Sequence, residues 1–494
     1  MSRVVLLSYT PDVERACAAA MRSCYSIHPA FDVYTNTPES GKALADEKTF
    51  DDERVGHFIR KSLELGHEDI LEHGSLTFAL YGFGDSTLDE LQSFRFAHLL
   101  RANRKLGKTL KENGWYTKEM SGRAVLSANP RAYRALLKDI SDADSREMKQ
   151  LRIAMSDLLA LAAPNIFSQQ ANQTYERFEE LRKGYARASE GRLFELANGN
   201  LADGFSAAVV KRHSAPANAQ TMQEINQPAV VLFSYTPEME RTMAAVTLFL
   251  YSDSEAERFL TQLDSLSAKE AQDIVQKILL DGNYHAPFNH AALTYDIEGF
   301  SRAFTHQLVR HRHAVYSQQS QRYVKRTRGG SYIRPPDIRP DARVKINAKG
   351  IELDVTFDDV MDMATQAEIA FLEQHKAKAE DARFLRPGGA TTNIVMTATP
   401  EEYLSVFDFR TTSDVQWEFQ SFSYAALALA KSIAPTIFKT LPVAAKESSV
   451  RERIEEIDKA VDSSNFWNAR RGDVVEMPLD GVKLKHQVHA YIKY

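Results

Sequence analysis

Residues 4–26 read VVLLSYTPDVERACAAAMRSCYS, and residues 230–252 read VVLFSYTPEMERTMAAVTLFLYS. The two segments are identical at 13 of 23 positions, and APNIF at 163–167 is matched later by APTIF at 434–438. Repetition of separate blocks in the same order indicates a tandem duplication. A chain of 494 residues is also longer than one hydrophobic core usually serves.

The duplication predicts two α+β domains in tandem, each a mixed β-sheet flanked by helices. Each copy opens with an apolar strand, a Tyr-Thr-Pro turn and a helix with an acidic first turn. A histidine, His73 or His290, then precedes an alternating strand at 76–81 or 293–298, and both histidines are interpreted as hydrogen-bonded core histidines. The predicted boundaries are 1–211 for a degenerate first copy, 212–228 for a linker, 229–440 for the second copy and 441–494 for a C-terminal tail.

Several further elements are predicted from apolar periodicity. They are strands near 123–127 and 393–397, long helices near 358–384 and 415–433, a helix at 450–462, and a last strand-like piece at 487–494.

Copy two carries a basic segment that copy one lacks. The offset between the copies rises from 217 at the two histidines to 271 at the APNIF and APTIF blocks, so copy one is 54 residues shorter in between. In copy two this interval contains RHRHAVYSQQSQRY at 310–323, inside a run, 299–336, with eight Lys or Arg and no Asp or Glu. Because the whole chain carries a net charge of −5, this local positive charge indicates an anionic ligand.

The spacing within the basic segment predicts its local structure. A helix is expected from about Ser301, with these residues near one face: Arg302, His306, Arg310 and His313. Arg310 and Arg312 cannot share that face, so either the helix ends there or the two guanidiniums serve different ligands. Further on, Gln318, Ser320 and Arg322 alternate and would point the same way in an extended chain, which suits a phosphate and a nucleobase edge.

The motif R-H-R, followed after seven residues by S-x-R-Y, resembles the signature of the flavin-dependent thymidylate synthases. Other blocks of copy two are similar to that family in the same order: SRA at 301–303, QLV at 307–309, ARFLRP at 382–387, FR at 409–410 and QWEF at 416–419. The resemblance implies an enzyme, a flavin-dependent methyltransferase. Its reaction is the reductive methylation of dUMP to dTMP, with FAD as cofactor and with methylenetetrahydrofolate and NADPH as co-substrates.

The resemblance also implies roles for individual residues. Arg310, His311 and Arg312 are expected to contact FAD. The residues expected around dUMP are Gln307, Gln318, Ser320, Arg322, Arg383 and Arg410. Arg410 resembles the arginine that pairs with the uracil ring and stabilises its N3-deprotonated form, which would be electrostatic catalysis.

Copy two departs from the family pattern where copy one keeps it. Copy two has Tyr284 and Thr399-Pro400-Glu401 where the family has a histidine and Asn-x-Arg, whereas copy one retains those types. The hypothesis is therefore that copy one supplies His67, Asn129 and Arg131 to the flavin. Since family members resemble one another in being homotetramers, two fused copies imply a homodimer that forms a pseudo-tetramer.

Alternatives from other classes remain open. One is a divergent flavin-dependent pyrimidine nucleotide C5-methylase or hydroxymethylase, and another is a non-catalytic nucleotide- or RNA-binding paralogue. Ligand-specific residue types at the motif positions argue against nucleic acid as the partner. With only two cysteines, Cys17 and Cys24, no metal site is predicted, and both are expected to be buried. No signal peptide or membrane span is recognised, so a cytoplasmic enzyme is expected.

Overall fold

A computed structural model of the chain describes residues 3–10, 12–26, 29–35, 52–115, 122–140, 145–167, 222–224, 228–236, 238–251, 266–324, 330–439, 441–463, 474–479 and 482–487. The strands are β1 (Arg3–Tyr9), β2 (Leu76–Tyr81), β3 (His98–Arg101), β4 (Ala124–Ala128), β5 (Met222–Glu224), β6 (Ala229–Tyr235), β7 (Leu293–Ser301), β8 (Val315–Gln318), β9 (Gly330–Tyr332), β10 (Arg343–Ala348), β11 (Ile351–Thr356), β12 (Thr391–Ala398), β13 (Val474–Leu479) and β14 (Val482–Gln487).

The helices of copy one are α1 (Val13–Tyr25), α2 (Ala30–Thr35), α3 (Asp52–Glu64), α4 (Asp85–Gln92), α5 (Arg104–Glu112), α6 (Pro130–Asp139), α7 (Arg146–Ala162) and α8 (Pro164–Phe167). Those that follow are α9 (Met239–Phe249), α10 (Ala268–Ile274), α11 (Arg302–Leu308), α12 (Phe357–Glu373), α13 (Ala379–Ala382), α14 (Pro400–Arg410), α15 (Trp417–Ile433) and α16 (Ser448–Ser463). None of the helices in these ranges is both long and apolar enough to span a membrane.

Both copies contain the same four-stranded antiparallel core. In copy one the strand order is β1-β2-β4-β3, and in copy two it is β6-β7-β12-β8, extended beyond β6 by the β13-β14 hairpin. The predicted tandem α+β architecture is therefore confirmed. The tail adds to the second sheet, since β14 pairs in parallel with β6.

Each sheet is buried on both faces because the two copies pack against each other. In β2, Phe78 lies in the core of copy one, whereas its neighbour Ala79 lies in the large core of copy two. In β6, Val230 lies in the core of copy two, whereas Val231 packs against the first two helices of copy one. Successive side chains of a strand point to opposite faces, so each sheet has one face toward its own helices and one toward the other copy.

Two buried histidines link the copies reciprocally. His73 of copy one contacts the hydroxyls of Thr397 at 2.9 Å and Ser317 at 2.8 Å in copy two. His290 of copy two contacts the hydroxyl of Ser127 in copy one at 2.6 Å. Both histidines are almost fully buried, and desolvation lowers the pKa of His73 to about 4 and that of His290 to about 3. The interpretation of both as core histidines is confirmed.

The first and last repeated blocks contact each other in both copies. The Glu14 carboxylate accepts backbone N–H groups of Asn165 and Ile166, and Glu240 accepts those of Thr436 and Ile437. Burial raises the pKa of Glu14 to about 7 and also raises that of Glu240. This contact is a physical reason for the two blocks to be retained together.

Some expected elements differ in the structure. The expected helix at 358–384 ends as α12 at Glu373, because Lys376 adopts a left-handed backbone (φ 54°) that a continuing helix cannot contain. Within the predicted linker, β5 pairs in parallel with β9. Outside the described residues lie Lys325, Arg326 and Arg328, most of the predicted linker, and residues 488–494 of the expected last strand.

Candidate active site

The basic segment leaves its helix before the first arginine of the RHR motif. Helix α11 is capped by Ser301 and ends at Leu308, so the alternative in which the helix ends is the one observed. The buried Glu418 carboxylate accepts from the Ser301 amide at 2.8 Å and from its hydroxyl, which ties this helix start to α15. Arg310 and Arg312 are exposed, and within the described part of the chain neither forms an ion pair with a carboxylate. The two guanidiniums are therefore available to an anion.

His311 connects the motif to the expected catalytic arginine. The Nε–H of Arg410 donates to His311 Nε2 at 3.1 Å, and His311 Nδ1 lies 3.4 Å from the Glu402 carboxylate. An arginine Nε is always a donor, so the ring nitrogen facing it must be unprotonated, and the ring hydrogen belongs on Nδ1 toward Glu402. The Arg410 guanidinium also lies over the Phe419 ring, 4.9 Å from its centroid. Arg410 is thus partly buried, and its guanidinium contacts His311 and the face of the Phe419 ring.

The loop after β8, residues 319–324, is a turn and not the expected extended chain. β8 ends at Gln318, and the Val324 amide donates to the Ser320 carbonyl at 3.0 Å. The alternation of residues 318, 320 and 322 therefore does not place their side chains on one face of a strand, because the chain reverses after 320. The Gln318 side-chain amide donates to the Thr305 hydroxyl at 3.0 Å, which holds the end of β8 on α11.

Copy one supports this loop directly. The Ser320 amide donates to the carbonyl of Cys24 at 2.8 Å, and the Gln319 side chain donates to the carbonyl of Ser26 at 3.0 Å. The rings of Tyr25 and Tyr323 lie 4.9 Å apart. Cys24, predicted to be buried, is half-buried, because it sits at this junction, whereas Cys17 is buried as expected. The end of α1 is therefore part of the wall of the site.

Arginines from three segments gather beside the loop. Arg322 is exposed and pairs with Glu380 at 3.1 Å, and Arg383 donates from Nε to the Glu380 carbonyl at 3.1 Å. Arg302 donates to the Arg386 carbonyl at 2.7 Å. Burial lowers the pKa of Arg302, and the nearby charges of Arg386 and Arg383 lower it further. This mutual repulsion indicates a locally positive surface.

Arg386 is neutralised within the protein. Its guanidinium makes a bidentate pair with Glu368, and both side chains are only 4% exposed. Glu368 is thus committed to Arg386, and Arg302 and Arg383 are left to attract an anion.

The copy-one residues expected to reach the flavin lie on the border of the same region. His67 is exposed, Asn129 caps α6 through the Ala132 amide at 2.8 Å, and Arg131 pairs with Glu72. The turn Glu68–Glu72 packs against α1. Among the described residues no hydrogen bond or ion pair joins this trio to the RHR motif. The structure therefore brings Gln318, Ser320, Arg322 and Arg383 around one loop and Arg410 to His311, with the trio as a separate group nearby.

The sequence reasoning missed Glu402 and the end of α1. Glu402 lies two helical turns before Arg410 in α14, and this spacing places both side chains near one face of the helix. The carbonyl contacts of residues 24 and 26 depend on how the copies pack, and no local pattern carries them. Gln307 lies in the last turn of α11 and is half-buried.

Comparison with known proteins identifies the relatives of both copies. The family profile described as "Thymidylate synthase complementing protein" matches residues 5–203 and 231–436. The flavin-dependent thymidylate synthase of Geobacter sulfurreducens is 35% identical over 210 residues, covering 42% of this chain and 85% of that protein. That of Clostridium tetani is 32% identical over 220 residues, covering 42% and 85%.

Solved structures are also similar to parts of the chain. A Helicobacter pylori ThyX structure complexed with FAD and dUMP has a TM-score of 0.29 at 16% identity, covering 40% of this chain and 92% of that one. The UMP/dUMP methylase PolB of Streptomyces cacaoi, bound with 5-Br dUMP, has a TM-score of 0.34 at 15% identity, covering 44% and 96%.

Proposed function

The chain belongs to the thymidylate synthase complementing protein family, and from this premise we propose that it is an FAD-dependent thymidylate synthase. The proposed reaction converts dUMP to dTMP, with methylenetetrahydrofolate as one-carbon donor and NADPH as reductant. Relatives named flavin-dependent thymidylate synthase support the reaction class. The observation that carries the proposal is the group of arginines beside the loop 318–324, of which Arg302 and Arg383 form no ion pair with a carboxylate among the described residues.

Ser320 and Arg322 are proposed to bind the phosphate of dUMP. The pair between Arg322 and Glu380 is solvent-exposed and therefore weak, so a phosphate dianion can replace the carboxylate. Arg383 and Arg302 add positive charge beside it. The loop is held by the Cys24 carbonyl, so little ordering entropy is lost when the nucleotide binds.

Arg410 is proposed to act on the uracil ring. The Nε–H of Arg410 donates to His311, and Phe419 covers one face of the guanidinium. The two terminal nitrogens of Arg410 are therefore left to donate to the uracil ring. A fixed guanidinium stabilises negative charge that develops on the pyrimidine without reorganising during the reaction.

The exposed arginines of the RHR motif fit a flavin dinucleotide. Arg310 and Arg312 are exposed donors without a carboxylate partner among the described residues, and arginine binds pyrophosphate bidentately. When bound, FAD supplies the reducing equivalents that complete the methyl group. His67, Asn129 and Arg131 of copy one are proposed to add contacts, with Arg131 exchanging Glu72 for the flavin phosphate.

The test is direct binding followed by turnover. The purified protein should bind FAD, quench its fluorescence, and release tritium from [5-³H]dUMP in the presence of methylenetetrahydrofolate and NADPH. Arg312→Ala should weaken FAD binding, whereas Arg339→Ala, which changes an exposed arginine paired with Asp341, is the matched control. Activity with UMP but not dUMP would favour the divergent methylase, and absence of FAD binding would refute the proposal.

The same proposal includes assembly and shared binding. The chain is expected to be a homodimer that forms a pseudo-tetramer, located in the cytoplasm. Arg131→Ala should lower FAD affinity about fivefold to a hundredfold, since one charged contact contributes about 1 to 3 kcal/mol. A monomeric mass by light scattering, or unchanged FAD affinity in this variant, would refute the shared-site arrangement.

A further inference from the structure

This inference rests on the proposed function. The duplication creates two equivalent places, one around the loop after β8 in copy two and one around the loop after β3 in copy one, and the inference concerns the second. Thr397 of β12 pairs with Val315 of β8, and Ser127 of β4 pairs with His98 of β3. Thr397 and Ser127 correspond because each faces the threonine of the repeated strand, in β7 and β2 respectively. The loop after β8 in copy two therefore has a counterpart after β3 in copy one, in which Asn103 stands for Ser320.

Asn103 has its polar groups occupied by the other copy. Its amide donates to the Tyr251 hydroxyl at 2.5 Å, and that hydroxyl donates to the Asn103 carbonyl at 2.6 Å. Its side-chain amide donates to the Tyr284 hydroxyl at 2.5 Å, and its side-chain oxygen caps α5 through Leu106 at 3.0 Å. Lys105, the counterpart of Arg322, donates to the Asn283 carbonyl at 3.0 Å. The polar groups of Asn103 are therefore all engaged within the protein, whereas Lys105 contacts the other copy and stays exposed.

Helix α5 fills the adjoining space with apolar side chains. Leu106 and Leu110 are fully buried in the core of copy two, and Trp115 and Tyr284 pack against that core. A Cβ on Gly107 would lie 3.0 Å from the Tyr251 ring, so the helix and the ring are in close contact. The Lys277 ammonium lies over the Trp115 ring, 5.6 Å from its centroid. The packing here resembles a protein interior.

The two equivalent places therefore differ in kind. At the first place Arg310, Arg312 and Arg322 of copy two are exposed, and His67 of copy one is also exposed. At the second, Tyr284 occupies the position of His67 and is bonded to Asn103, and burial raises its pKa. We propose that each chain has one site that binds the flavin and the nucleotide. At the second, equivalent place, α5 together with Tyr251 and Tyr284 permanently fills the space that these ligands would need.

Ligand stoichiometry tests this proposal. Isothermal titration calorimetry of the full chain should give one FAD and, separately, one dUMP per chain. Two equivalents of FAD per chain would overturn the inference and leave the proposed function intact. Absence of any FAD binding would overturn the proposed function, and this inference with it.

Hydrogen exchange and a matched pair of variants locate the site. FAD and dUMP together should protect amides of residues 310–322, whereas residues 103–115 should already be protected and should not change. Tyr284→Phe should leave FAD affinity within about twofold and lower the midpoint of ligand-free thermal unfolding by about 1 to 2 °C, because it loses a hydrogen bond between the copies. His67→Ala, at the equivalent position, should instead weaken FAD binding. Ligand-induced protection of 103–115, or a loss of FAD affinity in Tyr284→Phe equal to that in His67→Ala, would overturn the proposal.

Discussion

Mild acid should destabilise the contact between the two copies through the two buried histidines. The pKa of His73 is lowered to about 4 and that of His290 to about 3, both by desolvation. In the unfolded chain each histidine has a pKa of about 6.5, so at higher pH the ring is neutral in both the folded and the unfolded state and does not change the free energy of unfolding. Below about pH 6.5 the histidines become protonated in the unfolded chain but stay neutral in the folded chain, so the free energy of unfolding decreases as the pH falls toward 4.

The magnitude follows from this difference in proton uptake. Each histidine lowers the free energy of unfolding by about 1.4 kcal/mol for every pH unit below about 6.5. At pH 5 the loss is about 2 kcal/mol for each ring and about 4 kcal/mol for the pair. Glu14 acts in the opposite sense, because its pKa is raised to about 7 and its protonation at lower pH relieves a burial cost. The wild-type profile alone therefore mixes the two effects.

Comparison with variants separates them. Urea unfolding, followed by circular dichroism at pH 7.5 and pH 5, should show a smaller pH-dependent loss in the double variant His73→Gln/His290→Gln, by about 4 kcal/mol. The double variant is also expected to be less stable at pH 7.5, because it loses contacts with the hydroxyls of the other copy. His57→Gln changes an exposed histidine and should retain the wild-type pH dependence. An equal loss between the two pH values in the wild type and the double variant would refute the reasoning.

Other predictions concern the site. Arg322→Ala and Ser320→Ala should each weaken dUMP binding roughly tenfold to a hundredfold, about 1.5 to 3 kcal/mol, without unfolding the protein; unchanged calorimetric affinity of the arginine variant would contradict its role. Arg410→Lys should lower kcat more than dUMP affinity, because lysine lacks the planar donor that contacts His311; equal decreases in both would contradict the catalytic role. Glu402→Ala should lower kcat about threefold to tenfold, because nothing then accepts the Nδ1 hydrogen of His311 and the ring is no longer held in one tautomer. Glu402→Gln keeps an acceptor and should retain most activity. Equal losses in the two Glu402 variants would show that orientation of His311 is not the cause.

The sequence by itself determined the architecture and the place of the basic segment. Repeated blocks and apolar alternation are local patterns, and they predicted the strand before each long stretch of helix, with β4 and β12 within two residues of their observed bounds. Charge is also local in origin, so the run from 299 to 336 predicted an anionic ligand without knowledge of the fold. The expectation that the chain stays extended from Gln318 through Ser320 to Arg322 was wrong, because a hydrogen-bonded turn follows β8.

Only the tertiary structure decided which residues of the two copies contact each other. Ser320 contacts the carbonyl of Cys24, and Asn103 contacts Tyr251 across 148 residues of chain. The contact of His311 with Glu402 and Arg410 likewise depends on the packing of α14 against the turn after α11. No periodicity or motif encodes such pairs, because they arise when two sheets bury their second faces against each other and bring distant loops together. The same packing left one equivalent place exposed and filled the other with α5.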